Sequence, residues 1–429
     1  MAVFINDTST VKNTSYKVVI PFYVYAAISF LVATILLFFS GEDFTQHYFQ
    51  PHILAVTHTM ALGWGTMIIL GASYQLVPVL IEAELFSNVL AYASFILAGT
   101  GIPLLIYSLY FFQFTWTALA GAICINAAIL AYVINLAVSI SKSKTENVHA
   151  TFAFTASLWL FITTLIGLLL VCNFQHTILP EASVHYLSLH AHIGIVGWFL
   201  LLIIGVGSRL IPMFLISKYD TPKRLWLIYY LLNISLLTFI IFFFSVTQSI
   251  YYLIPLIVLL AALVLFIIFC RKAYQQRIRK KVDEQMKLSL LSVIMVLLPV
   301  FILLVLIVLL FFTVVNVQLV MVYGFTIFFG WITAIIFGMT FKTLPFIVWN
   351  KIYHAKAGNT KTPNPKDLFN ATLFTAMGWS YLCGFGLFVA GIMAANIFLL
   401  QTATVLLLIT AVLYNWNVLK MLMHKPAKL

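Results

Sequence analysis

Charge is what this chain lacks. Of its 429 residues only 8% are Asp, Glu, Lys or Arg, where a soluble domain carries about 25%. That scarcity excludes a water-soluble globule. With 63% apolar residues, it excludes a disordered chain as well. Acid is scarcest, with 11 Asp and Glu against 23 Lys and Arg. Cysteine is down to Cys124, Cys172, Cys270 and Cys383, and no two of them form a CxxC. A c-type haem attachment motif and a thiolate zinc site are therefore absent, and the four read as small apolar residues. Polar linkers are missing too. The longest charged connections are 271–287 and 350–367, too short to set apart a soluble domain.

What is present is apolar sequence in runs of helical, membrane-spanning length. Barrel strands need only about 9–11 alternating residues, whereas these runs reach the ~20 that a helix needs. Twelve spans are expected, near 18–40, 53–81, 87–112, 115–140, 152–173, 187–216, 225–246, 249–270, 288–312, 317–346, 367–393 and 396–420. The fold class is an all-α polytopic membrane protein, one transmembrane domain over residues 1–429. The first 17 residues are polar and the first apolar run is long enough to span, so no cleavable signal peptide is expected.

The basic residues collect on one side of these spans. They are Lys12 and Lys17, Lys142 and Lys144, Lys218, Lys223 and Arg224, a run from Arg271 to Lys287, a run from Lys351 to Lys366, and Lys420, Lys425 and Lys428. The opposite connections hold only Glu42, Asp43 and Glu181. Basic loops stay in the cytoplasm. The expected location is the cell's inner (plasma) membrane, with both termini cytoplasmic. Topology accounts for the net charge of +12, and no nucleic-acid partner is needed to explain it.

A motif recurs three times. Gly63-Trp64, Gly71 and Pro78 are matched by Gly197-Trp198, Gly205 and Pro212, and again by Gly330-Trp331, Gly338 and Pro345. Trp, Gly and Pro stand seven residues apart in each copy, close to two helical turns, so they share one stripe. The copies are offset by 134 and 133 residues. Fixed offsets mark internal repeats, here three blocks of four helices near 18–140, 152–270 and 288–420 around an axis along the membrane normal. Small-residue packing between membrane helices explains each glycine, but not the common register. A partial echo stands at Gly378-Trp379 and Gly386, with Met393 where Pro is due.

Ten histidines are the other feature. His149, His354 and His424 read as solvated residues on the basic side. His58 and His192 each stand six residues before a repeat Trp, while Phe325 takes that place in the third copy. They are candidates for an axial pair on a b-type haem, and the alternative is a structural imidazole bonded to a carbonyl. His190 lies about 200° round the helix from His192 and so faces elsewhere. It could serve a second site with His185 or His176 nearby, copper being one occupant, or bond to an outer loop. His47 and His52 are either solvated or part of an outer metal site. Arg209 and Lys342 align with Gln75 across the repeats; they snorkel to lipid phosphate or line a polar pathway. Glu82 and Glu84 read as surface charges.

The run His190-Ala191-His192-Ile193-Gly194-Ile195-Val196-Gly197-Trp198, with Gly205, Leu210 and Pro212, resembles the tenth helix of the catalytic subunit of haem-copper oxidases, most closely the cbb-type branch. The run His58-Thr59-Met60-Ala61-Leu62-Gly63-Trp64 through Pro78 is similar. That resemblance implies twelve helices in three blocks, with haem in the outer half. It implies that His192 and His58 hold a low-spin haem and that His190 faces a second site. The chain departs from the family in having its HxH pair on helix six, no His on helix ten and no adjacent His pair for copper. The expectation is thus a haem-bearing member without the full oxidase copper site, similar also to the NnrS family. It would act in electron transfer or in binding nitric oxide or oxygen. The alternative is a copper transporter or assembly factor on the same scaffold without haem.

Overall fold

The computed structural model describes residues 14–143, 147–354 and 362–425. Lys12, Lys144, Lys356, Lys361 and Lys428, used above for orientation, lie outside the described residues. The protein is an all-α polytopic membrane protein. Twelve helices are long and apolar enough to cross a bilayer: α1 Tyr16–Phe39, α2 Pro51–Ile81, α3 Asn88–Tyr110, α4 Trp116–Ser141, α5 Val148–Gln175, α6 Leu187–Leu215, α7 Pro222–Ser245, α8 Ser249–Gln275, α9 Glu284–Phe311, α10 Val317–Tyr353, α11 Ala371–Met393 and α12 Ile397–Leu422.

Several helices outrun the apolar windows that announce them, because polar caps carry them into the headgroup region. The Asn147 side chain accepts from the His149 N–H at the start of α5. Asp283 does the same for Met286 at the start of α9, and Asn370 for Thr372 and Leu373 at the start of α11. Such caps satisfy N–H groups that the helix leaves orphaned. At the other end, α10 runs on past Pro345 to Tyr353.

Three helices form the inside. The most apolar stretches of α2, α6 and α10 are 78%, 61% and 72% buried, against 22% to 56% in the other nine. Around them α3 packs on α4, α7 on α8 and α11 on α12, while α1 meets α12. The outer surface stays apolar, with Val89, Phe244, Phe301 and Trp416 all exposed, as a lipid-facing surface requires. Of the cysteines only Cys270 is buried, and Cys383 faces outward.

The repeated glycines are close-approach positions. A Cβ on Gly71 would stand 2.6 Å from Phe22 Cβ on α1. A Cβ on Gly205 would collide with Phe152 on α5, and one on Gly338 with Ser289 on α9. Each of the three thus lets its helix seat against the helix immediately before it. The echo is different in kind: nothing lies within 4 Å of a Cβ built on Gly378 or Gly386.

Two expectations for polar residues are corrected. His149 is buried, not solvated: it is the second residue of α5, its Nδ1 bonds to the Gly205 carbonyl at 2.9 Å, and Ser208 Oγ stands 3.0 Å away. Lys342 does not reach for lipid; its ammonium pairs with the Asp283 carboxylate that caps α9. His424 is half-buried, its Nε2 2.8 Å from the Tyr353 hydroxyl, whereas His354, Arg209, Glu82 and Glu84 are exposed.

Candidate functional site

Each inner helix widens into a π turn around its Gly-Trp pair, over Thr59–Thr66, Ile193–Leu200 and Thr326–Ile332. The widening shows as i→i−5 bonds, from Met67 N–H to the Leu62 carbonyl, Leu201 N–H to Val196 and Thr333 N–H to Phe328. Such turns insert an extra residue and re-aim what precedes them, and they concentrate at functional sites. His58, His192 and Phe325 are the residues immediately before the three turns.

The turns also lock the helices together head to tail. Trp198 Nε1 donates to Thr66 Oγ1 at 3.1 Å, tying α6 to α2. Trp64 Nε1 donates to Thr333 Oγ1 at 3.1 Å, tying α2 to α10. The third bond of the cycle would run from Trp331 to residue 200, which is Leu200 and offers no acceptor. In each bond the Trp of one copy meets the residue two beyond the Trp of the next. Both bonds join non-equivalent positions of two helices.

The histidines follow the same rule. His58 on α2 meets His190 on α6: the rings are 6.3 Å apart between centres and only 17° from parallel. The structure therefore brings His58 to His190 rather than to His192. Because His58 and His192 are repeat-equivalent, each faces the next interface of the cycle, and neither faces the other. His192 looks across to α10, where its Nε2 stands 3.1 Å from the Tyr323 hydroxyl, with Phe239 of α7 packed on its ring. Tyr323 is the residue on α10 that corresponds to His190 at the repeat offset of 133. On α10 itself, Phe325 stacks on Phe388 at 4.2 Å and on Phe329 at 4.9 Å, filling with aromatic carbon the place that imidazole takes elsewhere.

The hydrogen bonds fix the tautomers. His58 Nδ1 lies 2.8 Å from the Leu54 carbonyl, and a carbonyl only accepts, so Nδ1 carries the proton and the neutral ring keeps its lone pair at Nε2. His192 Nδ1 likewise donates to the Ser188 carbonyl at 2.7 Å, and the Tyr323 hydroxyl then donates to its bare Nε2. His192 is satisfied on both sides. His190 is not. Its Nδ1 is buried without a hydrogen-bond partner, although the Thr163 backbone on α5 lies beside the ring. Gly167, also on α5, makes room for that ring; a Cβ there would stand 3.1 Å from His190 Cε1.

The remaining histidines lie apart from this pair. His52 Nδ1 pairs with Asp43 Oδ2 at 2.6 Å, and His47 Nδ1 accepts from the Phe49 N–H at 3.1 Å. His185 is exposed and packs on Tyr186 and Phe243, and His176 is exposed. Among the described residues no group of three His, Cys, Asp or Glu is placed to share a metal ion.

The residue pair can be tested against an axial cofactor. Two imidazoles on opposite sides of one metal stand with ring centres about 6 Å apart, the sum of two bonds of about 2 Å and two ring half-widths of about 1 Å. The observed 6.3 Å matches. His58 would offer its bare Nε2 to such a group, and His190, buried beside the Thr163 backbone, would offer a ring nitrogen. Sequence reasoning missed Tyr323 and Gly167. The repeat offset could have found the first; no signal in the sequence marks the second.

No family model matches the chain, and no curated protein matches it.

Proposed function

We propose that the protein is an integral membrane electron carrier in which His58 of α2 and His190 of α6 would hold a b-type haem. The observation that carries this reading is the near-parallel imidazole pair with ring centres 6.3 Å apart. When bound, such a haem supplies reversible one-electron chemistry. The chain's own residues do the rest. The Leu54 carbonyl accepts a hydrogen bond from the Nδ1–H of His58, as the usual outer partner of a metal-binding imidazole does, and so fixes its tautomer and orientation. Gly167 and the turn at Ile193–Leu200 position His190. The donor count favours a cofactor that takes two protein ligands. A zinc or copper site draws three or four from the protein, and no third donor group joins this pair among the described residues.

Were both imidazoles to hold the haem, it would supply electron transfer rather than the binding of nitric oxide or oxygen. The scaffold we read is that of oxidase subunit I, three blocks of four helices about an axis along the membrane normal. The three shared motifs, the three wide turns and the cyclic Trp-to-Thr bonds support it. We place the Lys- and Arg-rich side in the cytoplasm of a cell with this chain in its inner membrane, on the strength of the charge asymmetry.

The test is a set of single variants read by reduced-minus-oxidised visible spectra and iron analysis. His58→Ala and His190→Ala each abolish the haem bands, and His192→Ala keeps them. Bands retained in the first two variants overturn the assignment. Loss in His192→Ala with retention in His190→Ala would instead pair His58 with His192.

A further inference from the structure

The connection between α8 and α9 holds the densest positive charge in the chain, and its acids are already spent. Asp283 is engaged by Lys342 and by Arg279, the latter at 3.4 Å. Glu284 is held by Lys287 at 2.7 Å. Lys280 and Lys281 are exposed and have no carboxylate partner among the described residues. The segment that carries them is fixed in place. Ser217 and Arg277 form an antiparallel bridge, Ile278 N–H donates to the Ile216 carbonyl at 3.1 Å, and the Arg277 guanidinium lies 3.9 Å from the centre of the Tyr274 ring.

These lysines stand at the mouth of a groove of about 490 Å³ lined by Tyr274, Lys280, Lys281, Val282, Lys287, Leu290, Leu291 and Ile294. Along α9 the lining changes character in one direction. Lys287, then Leu290 and Leu291, then Ile294 follow at helical spacing, so they form one stripe about 10 Å long leading from the basic end into the apolar span. Leu290 and Leu291 are half-buried against the core and Ile294 is 61% exposed, so the stripe opens outward toward its apolar end. A cationic mouth above a partly open apolar stripe, at the end of a membrane helix, complements one class of molecule: a phosphate on top of an acyl chain.

We propose that this groove binds an anionic glycerophospholipid of the leaflet on the basic side, its phosphate held by Lys280 and Lys281 and its acyl chain laid along Leu290, Leu291 and Ile294. The commitment to a lipid over a soluble phosphate rests on the apolar stripe, which a free anion would not use. The site lies outside the histidine pair and does not depend on it.

The probe is the full chain in detergent micelles, examined by native mass spectrometry with phosphatidylglycerol and phosphatidylcholine of the same acyl chains. The wild-type protein retains phosphatidylglycerol in preference to phosphatidylcholine. Lys280→Gln with Lys281→Gln lowers that preference by between about tenfold and a hundredfold, at about fivefold or more per basic residue near a lipid surface. Both lysines are exposed and unpaired, so this pair leaves the fold intact. Lys366→Gln with Lys420→Gln, both exposed and on other basic segments, leaves the preference unchanged. Equal retention of the two lipids by the wild type overturns the proposal. So does an unchanged preference in the Lys280 and Lys281 pair. Displacement of the lipid by soluble glycerol phosphate overturns it in favour of a free-anion site.

Discussion

The α2–α6 and α6–α10 interfaces use the same two register positions and end differently. At the first, His58 and His190 stand with ring centres 6.3 Å apart, unbonded to each other, one ring nitrogen of His190 unpaired. At the second, His192 and Tyr323 close on each other through a 3.1 Å hydrogen bond. A single change of residue type, imidazole to phenol at the position shared by His190 and Tyr323, separates an unbonded ring pair from a self-satisfied contact. Position in the repeat therefore sets where a side chain points, and the residue there sets whether the interface can take a ligand. Phe325, the equivalent of His58 and His192 on α10, is stacked on Phe329 of its own helix and on Phe388 of α11 and offers no donor at all.

The comparison breaks or sharpens under substitution. The largest effect is expected from His190→Leu, which keeps an apolar side chain of similar bulk and removes both nitrogens. It should eliminate the haem bands while the protein still melts as a folded species by circular dichroism; bands surviving this change would break the contrast between the interfaces. Next comes the frame that all three interfaces share. Gly205→Ala would drive a methyl into Phe152 and should cost about 1–3 kcal/mol of stability. Gly378→Ala, on the echo with open space around it, should change the denaturation midpoint little. Similar melting shifts for the two would argue against a packed repeat. An effect of similar size is expected from Tyr323→Phe. It removes the donor to His192 Nε2 and should lower stability by about 1–3 kcal/mol, the cost of a buried acceptor left unpaired, without altering the haem spectrum. The smallest is Trp198→Phe, which deletes the bond to Thr66 for about 1 kcal/mol, measured in the same unfolding assay.

The spans were legible because apolar runs of bilayer length have one main explanation, and the observed helices differ from the expected ones chiefly at their capped ends. The equivalence of His58, His192 and Phe325 was legible too, from the constant spacing to Trp. Their pairing was not. Repeat-equivalent residues meet across a two-fold axis, whereas in a cycle of three each meets a non-equivalent position of its neighbour, and spacing along one helix does not say which. The π turns were hidden for a related reason: hydropathy does not distinguish 3.6 residues per turn from a local insertion. Burial of His149 escaped because a residue at a span's edge reads alike whether it faces water or the Gly205 carbonyl. The Lys342–Asp283 pair escaped because 59 residues separate its partners.

The most direct measurement is made on the unaltered protein. Purified in detergent after expression with ample haem, it should show sharp bands on reduction with dithionite and about one iron per chain. Carbon monoxide should leave those bands in place, since His58 and His190 would occupy both axial positions. A featureless spectrum would contradict the haem assignment, and a full shift on adding carbon monoxide would contradict the pairing of the two histidines.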